Sequence, residues 1–331
     1  MKIGLTLGKF APLHQGHQYL IETALAEVDQ LIVLIYDCDE LPCVSLDTRA
    51  QWLRALYPQV EVLVGYHSPQ ATGYTPEIMR LQENYILKRL AGRKVTHFFS
   101  SEPYGEHVSL ALGAVDIRVD ISRSTIPISA TRIRQSWALA QQYLHPRVYQ
   151  DLVQKIVFLG APSAGKSTLA QALAKRLNTQ WLPEYGRTYW EQHQVDRRLA
   201  PEELLYIAHT HIELEDQATL QAQGYLFCDT NAFTTWHFAQ YYHGFALPEL
   251  ERLAESCWAR YQQVWLCDID FPYADTWDRS GQTNQQAFQQ FIKAYLDQHQ
   301  IPYQTVSGSV EERVEQVLKA LPSTCIPLSK L

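Results

Sequence analysis

A chain that runs twice from an apolar segment through a glycine-bearing loop into an amphipathic helical pattern has few folds open to it. The first such stretch here is residues 3–7, loop 8–16 and helical pattern 17–28; the second is 155–159, loop 160–165 and helical pattern 166–177. Each reads as strand, phosphate-type loop and helix, the opening of a mononucleotide-binding α/β domain. Further short apolar strands are expected at 31–36, 60–64, 95–100 and 116–119, and again at 180–182, 226–228, 263–267 and 303–306. Helical patterns over 49–56, 76–90, 202–223 and 285–298 lie between them. Strands alternating with helices predict parallel sheets covered on both faces. The expected architecture is therefore α/β, two doubly wound parallel-sheet domains, at residues 1–142 and 153–331. A helical or irregular connector, interrupted by Pro146, spans 143–151. A length of 331 residues suits two domains, and 46% hydrophobic content is enough to bury two cores.

Charge narrows the partners. A net charge of -7 and a pI near 5.9 argue against nucleic acid held on a broad basic surface. Small anionic ligands need only local positive groups and stay open. The opening MKIGLTLGKF has no long apolar region, and no run approaches the ~20 apolar residues of a membrane span. A cytoplasmic protein is expected. The six cysteines, at 38, 43, 228, 257, 267 and 325, form no CxxC pair. They are expected as reduced, mostly buried thiols.

The first loop carries specific chemistry. In GKFAPLHQGH, Gly8 ends a strand and allows close backbone approach, with Lys9 and Phe10 following it. His14 and His17 stand at HxGH spacing, and His17 opens a helix whose N–H groups and dipole favour phosphate. Both imidazoles can donate hydrogen bonds to phosphate oxygens, more strongly if protonated. Further on, ISATRIR places Ser129, Thr131 and Arg134 at the cap and first turns of a second helix. Hydroxyls, N–H groups and a guanidinium would converge there on one anion. The HxGH and ISxTxxR strings together resemble the nucleotidyltransferase superfamily that attacks the α-phosphate of ATP or CTP in line and releases pyrophosphate. That resemblance implies a Rossmann-like domain in which His14 and His17 contact the triphosphate, with His17 stabilising the transition state. It implies that Lys9 and Arg134 neutralise the β- and γ-phosphates, that Ser129 and Thr131 add hydroxyl contacts, and that Mg2+ accompanies the nucleotide.

The second loop, GAPSAGKST, matches G-x-x-x-x-G-K-[ST] without departure, between the strand KIVFL and a helical pattern. Gly160, Ser163, Ala164, Gly165, Lys166, Ser167 and Thr168 would cradle ATP phosphates. Lys166 would reach the β/γ-oxygens and Ser167 would ligate Mg2+. Asp229, at the tip of the strand YLFCD, suits magnesium or its water. Glu184 and Arg187, in PEYGR, follow the short strand 180–182. Glu184 would take a substrate hydroxyl proton or hold a ribose diol. Asp275, Asp278 and Arg279, in ADTWDRSG, read either as a lid with a cationic finger or as a solvated loop.

An HxGH domain followed by a P-loop domain is an unusual order. The strings GKFAPLHQGHQYLI, SSEPYGEH, PISATRIR, FLGAPSAGKSTL, PEYGR and CDTNAFTT, and more loosely WDRSG, resemble the NadR family in order and spacing. That family joins a nicotinamide mononucleotide adenylyltransferase to a ribosylnicotinamide kinase. The resemblance implies phosphorylation of nicotinamide riboside by the second domain and adenylylation of the mononucleotide to NAD by the first. It places Asn84, Glu184, Arg187 and Asn231 against substrate. Gln82 stands where many members carry a tryptophan, and Asn231 where the family often has aspartate. Some members carry an N-terminal helix-turn-helix; with the first strand beginning at Ile3, no DNA binding is expected. Two alternatives remain open: a nucleotidyltransferase–kinase fusion for another phosphate ester or nucleoside, and a nucleotide-sensing regulator. A homo-oligomer is compatible with the sequence.

Overall fold

In the protein's computed structural model, residues 1–196, 198–270 and 281–328 are described, with the backbone alone for 281–284. The chain divides into two compact units, Met1–Leu152 with Cys325–Pro327, and Val153–Thr324 with Leu328–Leu331.

The first unit contains β1 (Ile3–Gly8), β2 (Gln30–Tyr36), β3 (Glu61–Gly65), β4 (His97–Ser100) and β5 (Val115–Arg118). They form one sheet in the order β3-β2-β1-β4-β5, and every pairing is parallel. β2 is the continuous apolar run that a strand covered on both faces requires. Leu5, Ile32, Leu34, Ile86, Phe98 and Val108 meet in the core beneath. The stretch expected as a connector contains a short helix, Pro146–Gln150, and follows another, Trp137–Tyr143. Both belong to the first unit, which thus extends past residue 142 to Leu152. The Trp52 indole N–H donates to Asp151 Oδ2 (2.7 Å), anchoring that end.

The second unit contains β6 (Gln154–Leu159), β7 (Gln180–Leu182), β8 (Tyr225–Asp229), β9 (Gln263–Cys267) and β10 (Gln304–Val306). Their order is β10-β9-β6-β8-β7, again parallel throughout. In each unit the first strand lies mid-sheet with neighbours on both sides, so the chain leaves its tip at the point where the strand order reverses. Open α/β sheets bind ligands at that point. Both glycine-bearing loops leave from it.

The helical pattern at 202–223 is realised as Pro201–Thr219, and Gly224, at φ 79°, turns the chain into β8. The helix Ala232–His243 (AFTTWHFAQYYH) carries aromatic residues around most of its circumference, which hides the 3.6 period. The expectation of six reduced thiols needs correction. Cys43 and Cys325 form a disulfide with Cα atoms 5.6 Å apart, because Cys325–Pro327 packs with the first unit. Cys228, Cys257 and Cys267 are buried free thiols, and Cys38 is a half-buried one.

Two phosphate-type loops as candidate active sites

The first loop is built around a reciprocal histidine cap. His14 is the N-cap of the helix Gln15–Glu27, and its Nδ1 accepts from the Gly16 N–H (3.1 Å). His17 Nδ1 accepts in turn from the His14 N–H (3.4 Å). A neutral imidazole that accepts at Nδ1 carries its proton on Nε2. The two rings stack with centroids 3.8 Å apart, and Phe10 stands edge-on to His17 at 4.9 Å. Gly16 lies under the His14 ring, where a Cβ would come within 3.0 Å of Cε1. Its lack of a side chain thus makes room first of all for the cap.

Burial and then the Arg123 guanidinium push the His14 pKa down to about 4. Burial, His14 and Arg123 hold His17 well below its usual value. Near neutral pH both are neutral donors rather than cations, and positive charge must come from elsewhere. Arg134 supplies some: Nη1 donates to Ala11 O (2.6 Å) and Nη2 to Thr131 Oγ1 (3.3 Å). The first of these bonds draws the ISATRIR turn onto the loop. Ser129 caps the turn by accepting from the Arg132 N–H (3.4 Å). Lys9 forms an ion pair with Glu40, so a phosphate would have to compete with that carboxylate. Buried Arg49 donates to the Lys9 carbonyl and steadies the backbone that follows Gly8. Arg123 had no motif to announce it; it pairs with Glu102 at 3.2 Å. Asn84 is exposed on the helix Pro76–Leu90, with no side-chain hydrogen bond to the loop among the described residues. Gln82 donates to Ala71 O (3.2 Å).

A stability prediction follows from the cap. His14 takes up its proton near 6.5 when unfolded and at about 4 when folded. Between those values the unfolded chain binds more protons, so this stabilisation is complete above pH 6.5 and is lost as pH falls towards 4. The difference is worth about 3 kcal/mol. Urea melts at pH 7.5 and pH 5 should therefore show marked acid lability, with a shallower pH dependence in His14→Gln. An equal slope in that variant would mean that His14 is not the group responsible.

The second loop needs glycine twice. Gly160 has φ 144°, and a Cβ there would sit 2.8 Å from the Cys267 carbonyl oxygen; Gly165 has φ 83°. Lys166, 8% exposed, donates to the carbonyls of Gly160 (2.9 Å) and Ala161 (3.0 Å). Three side chains absent from the sequence reading brace the loop. Gln289 Oε1 accepts from the Ala161 N–H (2.9 Å), Gln285 donates to Pro162 O (2.8 Å), and buried Arg313 donates to Ala164 O (2.8 Å). Ala164 lends the loop its backbone only, because its side chain belongs to the core with Phe158 and Leu169.

The Ser167 hydroxyl donates to Asp229 Oδ2. Asp229 Oδ1 is buried with no partner among the described residues. An orphaned carboxylate oxygen beside a hydroxyl is a hard-oxygen donor pair that fits Mg2+, with phosphates and waters completing the octahedron. Among the described residues no cluster of three His, Cys, Asp or Glu side chains could hold a metal by itself.

A cavity of about 530 Å³ opens from this loop. Ser163, Gly165, Lys166, Ser167 and Thr168 line one side, and Glu184 and Arg187 join them. Trp190, Phe238 and Tyr242 supply apolar faces, a volume and lining that suit a nucleoside-sized ligand. Glu184 is there because it stands at the N-cap position of the helix Tyr185–His193, just past the tip of β7. Asn231 does not join them. Its side chain is 1% exposed and donates through Nδ2 to Cys257 Sγ (3.4 Å), while its Oδ1 is buried with no partner among the described residues. Asp275, Asp278 and Arg279 lie outside the described residues.

Two parallel α/β units, each with a phosphate-type loop at its switch point, define a nucleotidyltransferase-like domain followed by a P-loop domain. The cytidylyltransferase-like family model matches residues 5–136, and an AAA domain model matches 155–313. The trifunctional NAD biosynthesis/regulator protein NadR of Salmonella typhimurium is 29% identical over 326 residues, 91% of this chain and 78% of the relative. Its Escherichia coli counterpart is 28% identical over 324 residues with the same coverage. A crystal structure of a NadR protein in complex with NR overlays the whole chain and 98% of its own, with TM-score 0.57 and 19% identity. Another, with NAD and AMP-PNP, gives 0.56. Over most of its length the chain is thus similar to NadR proteins in sequence and in fold. Among the described residues no helix is long and apolar enough to cross a membrane.

Proposed function

We propose that this is a cytoplasmic enzyme of NAD synthesis with two heads. Residues 153–331 phosphorylate the 5′-hydroxyl of nicotinamide riboside with ATP, and residues 1–142 adenylylate the resulting mononucleotide to NAD, releasing pyrophosphate. The observation that carries the kinase reading is the single cavity joining Lys166 and Ser167 to Glu184 and an aromatic wall. Lys166, held by the Gly160 and Ala161 carbonyls, meets the β/γ-oxygens, and Glu184 accepts the proton of the attacking hydroxyl. Mg2+, held by Ser167 and Asp229, would supply charge neutralisation on the phosphates. In the first unit His17 and His14 donate Nε2–H bonds to the triphosphate, and Arg134 contributes charge as it builds on the leaving pyrophosphate. No protein nucleophile is required.

The test uses purified protein with ATP and Mg2+ in two tubes, one given nicotinamide riboside and one nicotinamide mononucleotide, with products read by mass. Mononucleotide from the first and NAD from the second are expected. Mononucleotide without NAD would leave the kinase reading standing and assign the first unit another acceptor. Absence of both products would overturn the substrate assignment.

A further inference from the structure

One polar group in the kinase cavity has no part in the scheme above. The helix Pro201–Thr219 buries a stripe of Leu204, Ile207, Ala208, His211 and Glu215. An imidazole on such a stripe costs desolvation unless both nitrogens are paired. His211 is 3% exposed, hydrogen-bonds to the Thr230 backbone, and keeps a buried Nε2 with no partner among the described residues. It lines the cavity together with Ser167, Ile207, Thr230 and Thr234. With Nδ1 donating to the Thr230 carbonyl, Nε2 carries a lone pair and offers the cavity an acceptor. A bound molecule that satisfies it must bring a donor. A nucleoside whose 5′-hydroxyl faces the phosphate loop has two others, the 2′- and 3′-hydroxyls of its ribose.

We infer that His211 Nε2 accepts a hydrogen bond from one ribose ring hydroxyl and so selects ribosides over the corresponding deoxyriboside. This rests on the kinase reading and deepens it. A site built to bond a hydroxyl rejects the analogue lacking it, because its own polar group is then left unpaired.

The experiment measures kcat and KM for nicotinamide riboside and its 2′-deoxy and 3′-deoxy analogues with wild type, His211→Phe and His211→Asn. Phenylalanine keeps the ring shape without the acceptor. Asparagine keeps a group to meet Thr230 but nothing at the Nε2 position. Both variants should raise KM for the riboside about ten- to hundredfold, with KM for ATP unchanged. One analogue should pay a similar penalty with wild type and no further penalty with either variant. A purely structural role for His211 would not move that analogue discrimination. Penalties that multiply, or a riboside KM unmoved in a folded variant, would overturn the inference alone. No phosphorylation of the riboside by wild type would instead overturn the kinase reading beneath it.

Discussion

Replacing Lys166 with alanine should lower phosphorylation of nicotinamide riboside by about 10³-fold, while adenylylation of supplied mononucleotide continues at the wild-type rate. Lys166 begins the helix Lys166–Leu177 and bonds two carbonyls of its own loop, so its ammonium is already held where the phosphates of ATP would lie. A preorganised donor acts most on charge that develops in the transition state, and removal of one such group typically costs 10²–10³ in kcat; a full positive charge puts Lys166 at the upper end. The loop itself should persist, because Gln285, Gln289 and Arg313 hold its backbone from outside. Both rates, measured alongside a thermal melt, decide the matter. Loss of both activities in a folded variant would defeat the picture of two independent sites.

His17→Ala should show the reverse: adenylylation reduced about 10²–10³-fold and riboside phosphorylation intact. Because burial keeps His17 neutral at physiological pH, the loss is that of an oriented Nε2–H donor rather than of a cation. Part of the effect would arise through His14, whose backbone N–H donates to the His17 ring and whose imidazole stacks on it. His17→Gln, which restores an amide donor, should recover some of the rate. Recovery no better than alanine would show that stacking, and not hydrogen bonding, is what His17 provides.

Much of this could be read from local spacing, for definite physical reasons. A strand, a tight loop and a helix N-terminus lie within about fifteen residues, so GKFAPLHQGH and GAPSAGKST carry their geometry in their own glycines and caps. Among the described residues the ten strands all fall on stretches expected as strands, and the central ones, such as β2 and β6, announced themselves as apolar runs because parallel strands covered on both faces tolerate little else. The charge state of the histidines was beyond reach. HxGH spacing indicates two donors, but it is burial in the packed loop, with Arg123 nearby, that holds both rings neutral.

Asn231 shows the limit from the other side. It follows Asp229 by two residues, yet Asp229 meets Ser167 while Asn231 turns to Cys257. The backbone between them passes through Thr230 at φ 70°, a local reversal that no string of letters displays. Arg313 lies 149 residues from the loop carbonyl it holds, and Gln289 lies 128 residues from its loop partner. His211 lies on the buried face of the helix Pro201–Thr219, where no motif marks it. Motif spacing was enough to establish two α/β folds, each with a phosphate-type loop at the tip of its first strand, since those depend on neighbours in sequence. Which side chains brace the loops, which polar atoms stay unpaired in the cavity, and that Cys43 meets Cys325 were decided by tertiary structure. Those contacts join segments that the chain separates widely and that only the packed sheets bring together.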